Sequence, residues 1–316
     1  MFYSIRHVTD FRYSAPISAS IMEVRMQPRS EGAQRRHNFR LQTDPAAQVM
    51  SYRDHLNNTI HHFDVPGRHT QLTITATSLI EIQPLPTVPE ALERTAWNEL
   101  DVLTDGGDYW EMLNPSHFAR PSQLLRELAR ELHFERRDDP LTTLRALNAS
   151  IRETFDYVPR STKVNSPIDD ALSTRRGVCQ DFAHVMIALV RELRMPCRYV
   201  SGYLFHRRED HDVSAADATH AWVEALLPGL GWIGFDPTNN LVTGERHIRT
   251  AIGRDYADVP PTRGVYKGDA DTELAVAVQV TPAEAPPSDE DEPPVMNWIT
   301  LDPDDQEQQQ QQDREW

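Results

Sequence analysis

The chain has 316 residues, 39 % of them hydrophobic and 25 % charged, the composition of a folded protein with room for two cores. Its formal charge is −16, but Pro282 to Trp316 alone holds 11 acidic residues and one basic, so the other 281 residues carry only −6. No basic stripe is present to release counterions, which argues against nucleic acid as a partner, and no apolar run nears the ~20 residues that span a bilayer. The opening "MFYSIRHVTDFRYSAP" lacks the apolar stretch of a signal peptide. Two cysteines in this length do not make a disulfide scaffold, so a reduced, cytoplasmic setting is expected, without membrane attachment.

Residues 1–84 are expected to form an antiparallel β domain. The runs "FYSIRHVTDFRYS", "ASIMEVRMQP", "RHNFRLQTD", "TIHHFDV" and "QLTITATSLIEIQP" are rich in β-branched and aromatic residues, and clusters such as "VPGR" separate them. Leu72, Ile74 and Ala76 alternate with Gln71 and threonines, the period of a half-buried strand. Residues 85–120, which include "PLPTVPEALE", read as a linking segment. Helices follow. Leu124, Leu125, Leu128 and Leu132 form a stripe, and Asp139 with Pro140 begins a helix that carries Leu144, Leu147 and Ile151 on one face. Ser166 and Pro167 repeat the device as cap and first turn. "CRYVSGYLF" and "HAWVEALLPGLGWIGFD" then read as strands, the second run folding back at a Pro-Gly turn. Helices first and antiparallel strands after them make residues 121–280 an α+β domain. Residues 281–316 combine Pro, acidic residues and a Gln run that cannot offset chain entropy by burial, so this acidic tail, with Trp298 and Ile299, is expected to be disordered. No internal repeat is present.

"RRGVCQDFAHVMIALVREL", from Arg175 to Leu193, places Cys179 where a turn gives way to an apolar helix with Phe182, Met186, Leu189 and Leu193 on its buried face. Gly177 can take the positive φ of a tight turn and admit a substrate backbone. A thiol in the first helical turn meets unpaired N–H groups and the positive end of the macrodipole, which favour a thiolate nucleophile. The competing reading of the helix alone is a small buried core residue. A base decides between them. Of the 13 histidines, His184 follows Cys179 by five positions and lies about 140° away around the helix. His55, His61, His62, His69, His206, His211 and His247 read as surface or strand residues.

His220 opens "HAWVEALL", where it shares a face with Trp222 and Glu224. Across the hairpin Trp232, Gly234 and Asp236 share a face. A register that pairs Trp222 with Gly234 sets Asp236 opposite His220, within reach of an imidazole N–H. No HExxH or CxxC pattern is present, so no metal is expected.

"GVCQDFAHVMIALVREL", "PCRYVSGYL", "THAWVEALLPGLGWIGFDPTNN" and "GRDYADVPPTRGVYKG" resemble the bacterial transglutaminase-like family with its papain-type cysteine-hydrolase core, and "IRHVTDFRYSAPI" with "MQPRSEGAQ" is similar to the β domain that precedes this core. The resemblance covers roughly residues 1–280. It implies Cys179 as nucleophile, His220 as general base and Asp236 as the acid that orients the imidazole. Tyr157 is a candidate second oxyanion donor and Gln180 a neighbour in the outer layer of the site, with Trp222 and Asn239 as candidates for the substrate cleft. The "HLNNT" turn departs from the family's Asp-Gly-Asn pattern, a local effect. Gln180 replaces the tryptophan of animal transglutaminases, and no acidic calcium-loop sequence is present, which argues against calcium dependence and cross-linking. The expected activity is acyl transfer through a thioester, without cofactor, that hydrolyses an amide of a peptide or protein substrate. Transglutaminase-type protein cross-linking or amine transfer is the second reading, and a non-catalytic peptide-binding module with a relict triad the third.

Overall fold

A computed structural model describes residues 1–207 and 209–285 of the chain. Two long strands, β1 (Phe2–Val24) and β4 (Thr59–Ile82), pair antiparallel and form the spine of the first sheet. β2 (Gln34–Asp44) and β3 (Met50–Arg53) share the far edge of β4. The five short runs expected here thus fuse into fewer, longer strands. Pro16 and the Pro66-Gly67 pair bend the ladder instead of ending it, because register shifts between Arg12 and Ala19 absorb residues that cannot pair. Alternation survives the bend: Leu72, Ile74, Ala76, Ile80 and Ile82 are all buried.

Residues 85–120 are more than a linker. They include α1 (Ala96–Asp105) and α2 (Trp110–Leu113), and Trp97 and Leu100 join the second core, with the Trp97 indole N–H donating to the Arg137 carbonyl at 2.9 Å. α3 (Gln123–Glu131) buries Leu125 and Leu128. α4 (Pro140–Thr154) starts where Asp139 accepts the N–H groups of Leu141 and Thr142, and it buries Leu144, Leu147 and Ile151. A two-residue parallel pair, β5 (Asp156–Tyr157) with β6 (Arg176–Gly177), flanks α5 (Ile168–Thr174). Ser166 does not cap α5; the capping position falls to Pro167, and the Ser166 hydroxyl accepts the Lys163 N–H instead. α6 (Cys179–Glu192) is buried from Gln180 to Arg191, on all sides and not along one stripe, because it contacts both the second sheet and helices α3 to α5.

That second sheet is antiparallel, with strands β7 (Cys197–Leu204), β8 (His220–Leu227), β9 (Gly231–Asp236), β10 (Leu241–Val242) and β11 (His247–Gly253) in the order β10-β9-β8-β7-β11. The outer edge of β11 is covered by side chains of the first domain. The Gln34 amide pairs with the backbone N–H and C=O of Arg249, both at 2.8 Å, and the Asn58 amide does the same with Ile252, also at 2.8 Å. The "HLNNT" turn therefore acts across domains, not locally.

The chain then leaves the second domain. β12 (Thr262–Lys267) and β13 (Thr272–Ala283) pair with the free edge of β1, so the expectation of a catalytic core running to residue 280 is wrong at its C-terminal end. Those strands complete the first sheet because β1 otherwise offers an unpaired edge. The expected disordered tail, including Trp298 and Ile299, lies outside the described residues apart from 281–285. No helix among the described residues is long and apolar enough to cross a membrane.

Candidate active site

Cys179 is the first residue of α6, partly exposed and not in a disulfide. The turn that delivers it depends on Asp181, whose Oδ2 accepts the Val178 N–H at 2.8 Å and the Thr162 hydroxyl at 2.6 Å. Burial pushes the Asp181 carboxyl up from its ordinary range. Gly177 is required for a different reason from the one expected. Its φ is not positive; a Cβ there would sit 2.8 Å from the Asp181 Cβ, and the left-handed residue of the turn is Arg175 at φ 55°. Gln180 is buried beside the thiol, and its amide donates to the Val164 carbonyl at 3.0 Å, so it anchors the loop before α5. The Tyr157 hydroxyl accepts the Ala215 N–H at 3.3 Å while its ring meets Phe182 edge-on. Burial, followed by the charge of Cys179, raises the Tyr157 pKa.

His220 and Asp236 meet, though not in the register expected. Glu224, not Trp222, pairs with Gly234, a shift of two residues that leaves every side chain on its original face. The cause lies in the turn. Leu227 pairs with Gly231, and positive φ at both Gly229 (72°) and Gly231 (74°) lengthens the loop beyond a two-residue Pro-Gly reversal. Asp236 therefore reaches His220 diagonally, with Nε2 to Oδ2 at 2.7 Å. Nδ1 of His220 is buried and has no hydrogen-bond partner, and Cys179 acts on this imidazole after Asp236 in raising its basicity against burial.

The carboxylate of Asp236 is fully buried and heavily solvated by protein. Oδ1 accepts the N–H groups of Thr238 (3.0 Å) and Asn239 (3.2 Å), while Oδ2 accepts His220, the Asn239 amide (2.9 Å) and His247 Nε2 (3.3 Å). Burial works against both members of the central pair, and their mutual attraction wins. His220 is lifted to about 10, and Asp236 is held well below the usual carboxylate range by His220 and then His247. The other expected neighbours have supporting places. Asn239 supports the carboxylate: its side-chain carbonyl accepts the Val213 N–H at 2.9 Å and its amide joins Ser214 to Asp236. Trp222 is wholly buried, with its indole edge against Gly202, where a Cβ would lie 2.6 Å from Cη2. With His247, Arg198 and Glu224 it lines a cavity of about 450 Å³ that does not include Cys179.

His184, rejected as a base, is buried and stacked on Phe118, where it accepts the Tyr256 N–H at 3.2 Å. Arg254 is paired with Asp258, and Asp255 accepts the Phe118 N–H, so "GRDYADV" packs down as a bonded loop. His247 is the member that sequence reasoning passed over. Its only sequence signal was weak: like His220, it is the first residue of a strand run, "HIRTAIG". Among the described residues, His220, Asp236 and His247 have ligand atoms within 4.8 Å of one another, a donor set that zinc accepts. Hydrogen bonds from both rings to one carboxylate oxygen account for that spacing without an ion.

Comparison with known proteins places the chain. The family model for the transglutaminase-like superfamily matches residues 126–237, which include Cys179, His220 and Asp236, and that for the bacterial transglutaminase-like N-terminal region matches residues 3–81. An uncharacterized protein of Mycobacterium leprae is 34 % identical over 277 residues, which cover 87 % of this chain and 96 % of that protein. A protein-glutamine gamma-glutamyltransferase of Pseudomonas aeruginosa is 27 % identical over 191 residues, 55 % of this chain but only 25 % of that protein. The fold matches the crystal structure of a proposed cysteine protease from Cytophaga hutchinsonii, with TM-score 0.69 and 23 % identity over 91 % of this chain and 93 % of that one. The chain belongs to the transglutaminase-like superfamily and carries the bacterial transglutaminase-like N-terminal region ahead of the core.

Proposed function

We propose that this protein is a cysteine-dependent acyl-transfer enzyme that hydrolyses amide bonds of peptides or proteins through a thioester. The observation that carries the reading is the fixed imidazole. Asp236 occupies Nε2 of His220, which leaves Nδ1 for the Cys179 thiol. With His220 lifted to about 10, the ring is an imidazolium at neutral pH, and an imidazolium beside a thiol in the first turn of a helix favours the thiolate.

The thiolate attacks the amide carbonyl, a C–S bond forms, and the carbonyl electrons move to oxygen. The Cys179 N–H, an unpaired donor of the first helical turn, faces that oxyanion. Tyr157 is the second donor: its oxygen already accepts from Ala215, which leaves its own hydrogen to give. The oxyanion collapses, the C–N bond breaks, and the leaving nitrogen takes the Nδ1 proton. Water then attacks the thioester as Nδ1 recovers a proton, and the acid departs with the thiolate restored. Resemblance to the Pseudomonas glutamyltransferase supports a second reading in which an amine replaces that water.

A panel of acyl-amide peptides, assayed with and without added primary amine, tests both. The expected result is free acid from the wild type and none from a folded Cys179→Ala variant, together with iodoacetamide labelling of Cys179 at pH 6 far faster than that of Cys197. Cys197 is buried and its thiol is pushed up to about 11. Equal, slow labelling of both cysteines rejects the enzyme in favour of a binding module.

A further inference from the structure

The reaction above uses one imidazole on Asp236, yet the structure supplies two. His247 Nε2 lies 3.3 Å from Oδ2, the same oxygen that receives His220, and the His247 side chain is 3 % exposed. Its protonation pattern is fixed from the other side. The Gly244 N–H donates to His247 Nδ1 at 3.3 Å, so Nδ1 carries no hydrogen and Nε2 does. The ring is held edge-on to the Trp222 indole, with centroids 5.3 Å apart. Charged and titratable groups that face it are Asp236, His220 and Arg246, the last paired with Asp210 and Asp212, and, around the cavity it lines, Glu31, Arg198, Glu224 and Arg249. Burial lowers the His247 pKa, and His220 and Arg246 lower it further against the pull of Asp236. His247 is thus a neutral donor that gives a hydrogen bond to the carboxylate without competing for the catalytic proton.

We propose that His247 is a positioning residue: its Nε2–H pins the Asp236 oxygen that serves His220, and so fixes the tautomer and angle of the imidazole that faces Cys179. Two other donors, the Asn239 amide and His220 itself, approach the same oxygen, so the carboxylate has no freedom to rotate about its Cβ–Cγ bond while all three are present. Removing His247 releases one of these restraints on the side from which β11 enters. The inference rests on the acyl-transfer reading, since only that reading gives the His220 orientation a catalytic consequence.

The test compares His247→Phe, which keeps a ring but no donor, with His247→Gln, whose amide nitrogen can stand in for Nε2. In His247→Phe, kcat on an acyl-amide peptide falls about tenfold, the worth of one hydrogen bond to a charged group, with KM unchanged. The pH midpoint of Cys179 alkylation also rises, and His247→Gln restores both. A folded Phe variant with wild-type kcat and wild-type midpoint overturns the inference while leaving the acyl-transfer reading intact. Wild-type Cys179 that labels no faster than Cys197 overturns both. Should the Phe variant not fold, ring nitrogen NMR of the wild-type protein decides: His247 protonated at Nε2 alone at pH 7.5 is expected, and a ring protonated at Nδ1 rejects the proposal.

Discussion

Replacing Asp236 with asparagine keeps the shape of the side chain and reverses half of its hydrogen bonding. The carboxylate receives five bonds, two from backbone N–H groups on Oδ1 and three from side chains on Oδ2. If the amide oxygen keeps the backbone pair, the amide NH2 confronts three donors. Asn239 cannot turn its amide without losing the Val213 and Ser214 N–H groups, and His247 cannot turn its ring without losing Gly244. His220 is the group left to yield, and it does so by moving its proton to Nδ1, toward the sulfur, the wrong tautomer for a base. The energy at stake follows from its basicity. Burial lowers His220, and Asp236 with Cys179 overrides it, so the rise from 6.5 to about 10 represents roughly 5 kcal/mol in favour of imidazolium. Without the carboxylate burial is opposed by Cys179 alone, and the ring is expected to be neutral at pH 7. Iodoacetamide labelling of Cys179 from pH 5 to 9, read by mass spectrometry, reports this directly. The wild type is expected to label faster than Asp236→Asn through the acidic half of that range, and Asp236→Asn to lose kcat about 10⁴-fold. Superimposable labelling profiles from two folded proteins refute the reasoning.

Gly202→Ala is expected to cost about 3 kcal/mol in urea unfolding and to depress activity, because a Cβ there meets both the Ile248 carbonyl and the Trp222 ring that supports His220. Asn58→Ala leaves the Ile252 N–H and C=O unpaired at the domain junction; it is expected to lose about 2–4 kcal/mol and to speed hydrogen exchange at Ile252, without shifting the Cys179 labelling midpoint. The pH dependence of stability has two limbs of opposite sign. Burial holds His7 and His61 near 4 and His184 near 3, so between there and 6.5 the unfolded chain binds protons that the native one does not; this stability is complete above pH 6.5 and lost as pH falls, at up to about 1.4 kcal/mol per pH unit for each histidine. His220 acts the other way, complete below 6.5 and lost as pH rises toward about 10, so urea midpoints should peak near pH 6.5 in the wild type, and a peak displaced well above pH 8 contradicts the assignment.

Local chemistry and face parity were legible in the sequence. Asp139 with Pro140 starts α4 where the pattern places it, and Leu72, Ile74 and Ala76 turn inward together. Parity also carried the central pair, since His220 and Asp236 stay on one face under any even shift of register, and the actual shift was two. Register itself was hidden, because it depends on Gly231 adopting positive φ, a choice made by the whole hairpin. His247 was hidden for another reason. Its neighbours in "GERHIRT" are polar, and its burial comes only when β11 pairs with β7 and meets Trp222 across the sheet. The return of β12 and β13 was illegible as well, because most of their side chains are exposed and give no strong periodicity.

That return bears on how the two domains work together. Residues 262–283 cover the open edge of β1, so the first sheet is complete only after the chain has built the second domain. In doing so β13 also reaches the site: the Val278 N–H donates to the carbonyl of Asp217, in the connection between β7 and β8. The same connection gives the Ala215 N–H to Tyr157 and the Val213 and Ser214 N–H groups to Asn239, whose amide in turn holds Asp236. One loop therefore ties the β domain to both the oxyanion candidate and the carboxylate behind the imidazole. On this geometry the N-terminal sheet is part of what orders the catalytic groups, and a second domain cut free of it would keep Cys179 on its helix while losing one restraint on the groups that make the thiol reactive.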